Sequence, residues 1–193
     1  MTKKCWLFGS WFAGWAFLLS VQAQETTNVF LPLPPTKLDA FATNIGSVVV
    51  KATAEIGTVP ADTALIVVQC KEMRDNNVGR REYGISVELV FEHQRRLIKL
   101  VDYDELDSLL SALDYLNKVD WSVTTLNSFD AGYNSKSGLR VAGFSSKRSG
   151  FIEFAIRDMA TPTSPILISR AQLAQFKALV EQAKAKLDSI RPS

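Results

Sequence analysis

Leu100 to Leu116 reads LVDYDELDSLLSALDYL, and 67 residues further on Leu167 to Ala183 reads LISRAQLAQFKALVEQA. In that register Leu100 and Val101 fall on Leu167 and Ile168, Asp102 on Ser169, Glu105 on Gln172, Leu106 on Leu173, Leu109 on Phe176 and Leu113 on Val180. Each copy reads as the end of a strand, a cap and a helix. The pattern predicts one structural unit used twice.

Both helices start by the same device. Asp102 and Ser169 are N-cap residues whose side-chain oxygens can accept an orphan backbone N–H, and Glu105 and Gln172, three positions on, complete a capping box. Leu106, Leu109, Leu110, Leu113 and Leu116 then form an apolar stripe, repeated by Leu173, Phe176, Val180, Ala183, Leu187 and Ile190. Helices of this length are marginal alone in water, so each stripe must be buried on another element. A sheet is the expected partner.

Outward from the first helix, the preceding chain supplies strands. Val48, Val50, Ala52 and Ala54 alternate with polar residues, Thr63 to Met73 is more continuously apolar, and Tyr83, Ile85, Val87, Leu89 and Phe91 alternate again. Arg96 to Val101 closes the set after a polar turn. The second half repeats the pattern. Phe129, Ala131 and Tyr133 share a face, Leu139 to Phe144 returns, Ile152, Phe154 and Ile156 alternate, and Ile166 to Ile168 leads into the last helix. The expectation is an α+β fold of antiparallel sheets with two helices, built as a duplicated ββββα unit. It forms one domain over 45–193, with pseudo-repeats 45–120 and 121–193. A pleckstrin-homology-like antiparallel barrel closed by the C-terminal helix is the alternative.

Ahead of this domain lie Lys3 and Lys4, the apolar run Cys5 to Leu19, and the small-residue site Val21-Gln22-Ala23. This is the pattern of a secretory signal peptide, residues 1–23, with cleavage after Ala23 and export to the periplasm or beyond. The apolar run is short of the roughly 20 residues a membrane-spanning helix needs, so no stable anchor is expected. Residues 24–44, with Pro32, Pro34 and Pro35, read as an extended arm.

Cleavage removes two lysines and no acid, so the 22 basic residues of the chain become 20 against 20 acidic ones. Zero net charge argues against nucleic-acid binding, which needs an excess of positive charge. Cys5 leaves as well. Cys70 then has no partner in its own chain, and its place beside Ile66 and Val68 on one strand face predicts a buried, inert thiol.

No arrangement in the sequence carries a catalytic signature. Asp102, Asp104, Glu105 and Asp107 lack the glycine and spaced oxygens of a calcium loop, and a helix start favours acids anyway. His93 stands alone in a turn, which leaves no metal pair and no base for a Ser or Cys nucleophile. Ser135-Lys136-Ser137 and Ser146-Lys147 sit in solvated hairpin tips, where a lysine keeps its proton. No metal and no cofactor is expected, and the chain is read as a non-enzyme.

One asymmetry remains. Gln24 to Asp120 holds 15 acids and 10 bases, and the rest of the chain 5 acids and 10 bases. Either the halves dock and neutralise each other, or the cluster Lys136, Arg140, Lys147 and Arg148, with Tyr133 and Phe144 beside it, forms a binding face.

Tyr103 to Leu116, Tyr133 to Gly143 and the helix Gln172 to Leu187 resemble small exported bacterial proteins of unknown function. In fold plan the duplicated ββββα unit is similar to the Whirly and PUR single-strand nucleic-acid binders, none of whose motifs it carries. The first resemblance implies export and a bacterial source, and neither supplies a site. The functional expectation is a binding or protein-interaction module, with a homodimer left open. The alternative is a carrier of a small apolar ligand held between sheet and helices.

Overall fold

The computed structural model describes residues 36–43, 46–91, 95–146, 150–161 and 165–192. The leader 1–23, the proline-containing stretch to Pro35, His93, Lys147 and Arg148 lie outside the described residues. Four strands, β1 (Val49–Ala61), β2 (Ala64–Asp75), β3 (Arg81–Phe91) and β4 (Arg96–Asp102), form an antiparallel meander in chain order. A 3-10 turn at Tyr103–Glu105 leads into helix α2 (Leu106–Lys118). β5 (Ser128–Asn134), β6 (Leu139–Ser146), β7 (Phe151–Asp158) and β8 (Ile166–Ile168) repeat the meander, and α3 (Arg170–Ile190) follows. The duplicated ββββα plan is therefore what forms, as two separate four-stranded sheets. The barrel alternative does not arise.

Strand β1 runs past the alternation that reveals its first half. A register shift between Glu55 and Gly57 marks a bulge, and the strand continues to Ala61 through Pro60. Proline is tolerated there because β1 lies at the sheet edge. Gly57 is needed for a different reason: a Cβ on it would come within 2.8 Å of Leu179 Cδ2, so α3 rests directly on the bulge.

The helices are exchanged between the sheets. α3 packs on β1, β2 and β3 of the first sheet, while α2 packs on β5 and β6 of the second, and the two helices touch. Their stripes meet the inward residues of both sheets in one core that includes Ile66, Ile85, Leu89, Leu113, Ile156 and Phe176, all fully buried. Each such side chain contributes about 1.5–3 kcal/mol by leaving water. Cys70 belongs to this core. Its thiol donates to Ala183 O across 3.4 Å, and burial pushes its pKa up.

Residues 37–42, expected within an extended arm, form the short helix α1 (Lys37–Ala42) instead. Thr36 caps it by accepting from Asp39 N, and Leu38 and Phe41 pack on Met73 on the outer face of the first sheet. The proline run gives no sign of this, because the helix is held from elsewhere in the chain. Asp102 supplies the hold. Its carboxylate, 1% exposed, accepts from Lys37 N at 2.8 Å and Leu38 N at 3.1 Å. Asp102 thus serves twice: with Glu105, which accepts from Asp102 N at 3.4 Å, it closes the expected capping box at the turn that leads into α2, and the same carboxylate holds α1. At α3 the expected box is complete, with Ser169 and Gln172 bonding reciprocally.

The opposite charges of the halves are largely spent on docking. Lys136 reaches Asp102 and Asp104, Lys177 reaches Asp114, and Lys184 reaches Asp107, each a base of the second half on an acid of the first. Lys99 and Asp158 form the reverse pair, almost out of water.

Candidate binding face

The second sheet turns one face to α2 and leaves the other without a covering element among the described residues. Alternation assigns the sides. Phe129, Tyr133, Leu139, Val141, Phe154 and Ile156 point to the core, so Asp130, Gly132 and Asn134 of β5, Arg140, Ala142 and Phe144 of β6, and Glu153, Ala155 and Arg157 of β7 point out.

Register then builds a trench. Gly132 lies opposite Ala142, Ala142 opposite Ala155, and Ala155 opposite Leu167, which makes a row of small residues across three strands ending on a half-exposed leucine. On one side stand Asn134, Arg140 and Arg157, on the other Asp130, Phe144 and Glu153. Ala142 and Ala155 are only 6% and 5% exposed although they face outward, because these walls overhang them. The cleft between Arg140, Phe144, Arg157 and Pro165 holds about 110 Å³.

Arg140 is laid flat rather than solvated. Its guanidinium donates to Asp130 at 2.7 Å and to Asn134 at 2.9 Å, and it crosses Gly132, where a Cβ would lie 2.8 Å from Cζ. Only glycine leaves room for it. Arg157, directly opposite Arg140 on β7, is exposed and has no carboxylate within ion-pair distance among the described residues. Like charges placed opposite each other cost stability.

The residues singled out from sequence divide between several places. Arg140 and Phe144 share this outer face. Tyr133 points to the opposite side, half-buried, with its hydroxyl 3.1 Å from Ser108 Oγ, and burial pushes its pKa up. Lys136 is drawn to the α2 start, where its backbone N–H donates to Glu105 at 3.0 Å and its ammonium faces Asp102 and Asp104. Ser135 and Ser137 bond to each other, 3.0 Å apart. Arg157 and the small-residue row were not singled out, although the signal exists: Arg140 and Arg157 are equidistant from the turn that joins β6 to β7.

A cavity of about 690 Å³ opens at the corner where α1, the β2–β3 turn and the end of α3 meet. Its ionisable groups are answered within the chain. Lys37 pairs with Asp104 at 3.0 Å, Arg81 with Glu72 at 3.3 Å, and Arg191 lies over Tyr103 at 3.5 Å. Burial pushes the Asp104 carboxyl up, but the Lys37 hydrogen bond and the Lys136 and Lys37 charges outweigh it and hold it below the usual range. Among the described residues no Ser, Cys or His lines this cavity. Among the described residues no group of three or more His, Cys, Asp or Glu could hold a metal ion, and no helix is long and apolar enough to cross a membrane.

No family model and no curated protein matches the chain. Among solved structures, the plant transcriptional regulator PBF-2 covers 75% of this chain and 89% of its own, at 11% identity and a TM-score of 0.29.

Proposed function

We propose that the protein is a non-enzymatic, exported interaction module that takes a carboxylate-bearing side chain of a protein partner into the trench of its second sheet. The observation that carries this reading is the pair Arg140 and Arg157, set opposite each other on the wall of a row of small residues. An acid seated beside Arg157 would give it the counter-charge that Arg140 already has in Asp130. Arg140 is already immobilised by Asp130 and Asn134, so less side-chain freedom is lost on binding. Phe144 and Leu167 offer apolar contact beside it, and arginine and aromatic residues are the types enriched at interface centres. Export rests on Lys3, Lys4, the apolar run and Val21-Gln22-Ala23. The carrier reading draws no such support, since the space between sheets and helices is filled by the core side chains.

A photocrosslinking residue at position 157, compared in the source cell envelope with one at exposed Lys118 at the end of α2, tests the proposal. The expected result is an adduct with one protein from position 157 alone, lost when Arg140 is also changed to Glu. No adduct at 157, or the same adduct from both positions, overturns it.

A further inference from the structure

The geometry points to β1 as the seam of a homodimer, in which two copies pair antiparallel about a twofold axis at Thr53 and join their first sheets into one. This surface belongs to the first sheet and is independent of the trench.

β1 is an edge strand that pairs with β2 alone among the described residues. Asn76 N donates to Val48 O at 3.0 Å, which fixes the phase of the ladder: Val48, Val50, Ala52 and Ala54 turn their main-chain groups to β2. Val49, Lys51, Thr53 and Glu55 therefore turn theirs outward. The bulge and Pro60 that could blunt the edge come only after Glu55. Val49–Glu55 is thus a straight strand with a row of outward-facing donors and acceptors.

Its side chains are self-complementary in one register. Lys51 and Glu55 are exposed, lie on the same face, and neither has an ion-pair partner among the described residues. Alone, a lysine on an edge discourages pairing. Paired about Thr53, Lys51 stands opposite the partner's Glu55 and Glu55 opposite the partner's Lys51, with Thr53 on the partner's Thr53. On the other face, half-exposed Val50 comes beside the partner's Ile56. Opposite-charge and Thr–Thr pairs are both favourable cross-strand neighbours. The register also matches the outward backbone groups of both strands and allows about six inter-chain backbone hydrogen bonds. Moving the axis to Ala52 or Ala54 would oppose Lys51 or Glu55 with threonine and lose both charge pairs. The helix side adds apolar margin: Ile190, 45% exposed, lines a shallow cleft with Ala52 and Ala54.

Sedimentation velocity on the purified protein tests this. The expected result is a dimer that Lys51→Glu weakens about tenfold or more, because both attractive pairs become repulsive, and that the swap K51E/E55K restores. Thr53→Pro should give a monomer that still unfolds in one cooperative transition, with the melt of the wild-type protein diluted to monomer, since the Thr53 N–H faces away from β2. If that variant fails to fold, the charge series still decides. A wild-type monomer at every concentration up to the solubility limit overturns the proposal, as does a dimer that Lys51→Glu leaves as tight.

Discussion

Replacing Asp102 with alanine should undock α1 while leaving the two sheets folded. Docking of α1 is a balance of terms that nearly cancel. Ordering the six residues Lys37–Ala42 costs about 6–12 kcal/mol of backbone entropy. Burying Leu38 and Phe41 returns about 3–6 kcal/mol, and the Thr36 cap about 1 kcal/mol. The missing share comes from Asp102, whose carboxylate accepts from Lys37 N and Leu38 N. Hydrogen bonds to a charged acceptor contribute about 1.5–3 kcal/mol each, so the pair contributes about 3–6 kcal/mol. With Asp102 the sum favours docking by a small margin, and without it docking loses.

Hydrogen exchange reads the outcome at the Ala40 and Thr43 amides, which bond to Thr36 O and Asp39 O. In Asp102→Ala both should lose protection, while the strand amides keep theirs and the urea transition followed by circular dichroism moves by no more than about 3 kcal/mol, the sum of the small docking margin of α1, the capping box at about 1 kcal/mol and the half-exposed Lys136 pair at less than about 1 kcal/mol. Asp102→Asn, which keeps one acceptor oxygen, should fall between. Leu38→Ala should act like Asp102→Ala, since it removes the other half of the hold. Protected Ala40 and Thr43 amides in Asp102→Ala would refute the reasoning and place the stability of α1 in its own sequence.

Three further outcomes follow from buried or paired groups. Lys99→Ala should destabilise the fold by about 3 kcal/mol in a urea titration, because it leaves the Asp158 carboxylate, 3% exposed, without its cation. Cys70 should resist a thiol reagent in the native protein at neutral pH and react at once in urea, since burial holds its pKa up and α3 covers it. The Asp104 carboxyl is held below the usual carboxylate range, so its contribution is complete above the unfolded value of about 3.9 and is lost as pH falls through the folded value. Asp104→Asn should flatten the acid limb of stability against pH, by less than about 1 kcal/mol because the Lys37 pair is half exposed.

The plan of the fold is legible in the sequence wherever one side chain in two or four is apolar for a local reason. The alternation of Tyr83 to Phe91 and the stripes of α2 and α3 each decide a buried face without reference to anything distant. What is not legible depends on partners far along the chain. α1 cannot be read from Thr36 to Ala42, because its hold is Asp102. The second half of β1 hides behind Gly57 and Pro60, whose roles are set by Leu179 and by the edge position. The basic cluster of the second half looks like one patch in sequence, yet strand parity sends Tyr133 inward and Arg140 outward, and Lys136 goes to acids of the first half. The trench needs three strands in register at once, which no single window contains.

The exchange of helices explains which surfaces are left for binding. α2, made directly after the first sheet, covers the second, and α3, made last, covers the first. Each sheet therefore has its inner face closed by a helix from the other end of the chain, and neither half can bury its own core. The seam between the halves uses further edges. β4 meets the second half through Lys99, which reaches Asp158 and Ser137 O, and the far end of β1 is tied to the start of α3 by Gln172 donating to Pro60 O. β5 is held against α2. Both helices, β4 and the end of β1 are thereby consumed in joining the duplicated units. Among the described residues, the surfaces not used in joining the units include the outer sheet faces, one of them partly closed by α1, and the first half of β1. The trench arginine without a carboxylate and Lys51 and Glu55 without an ion-pair partner among the described residues lie on those surfaces, so the proposed acidic partner and the proposed second copy would meet the protein without competing with its fold.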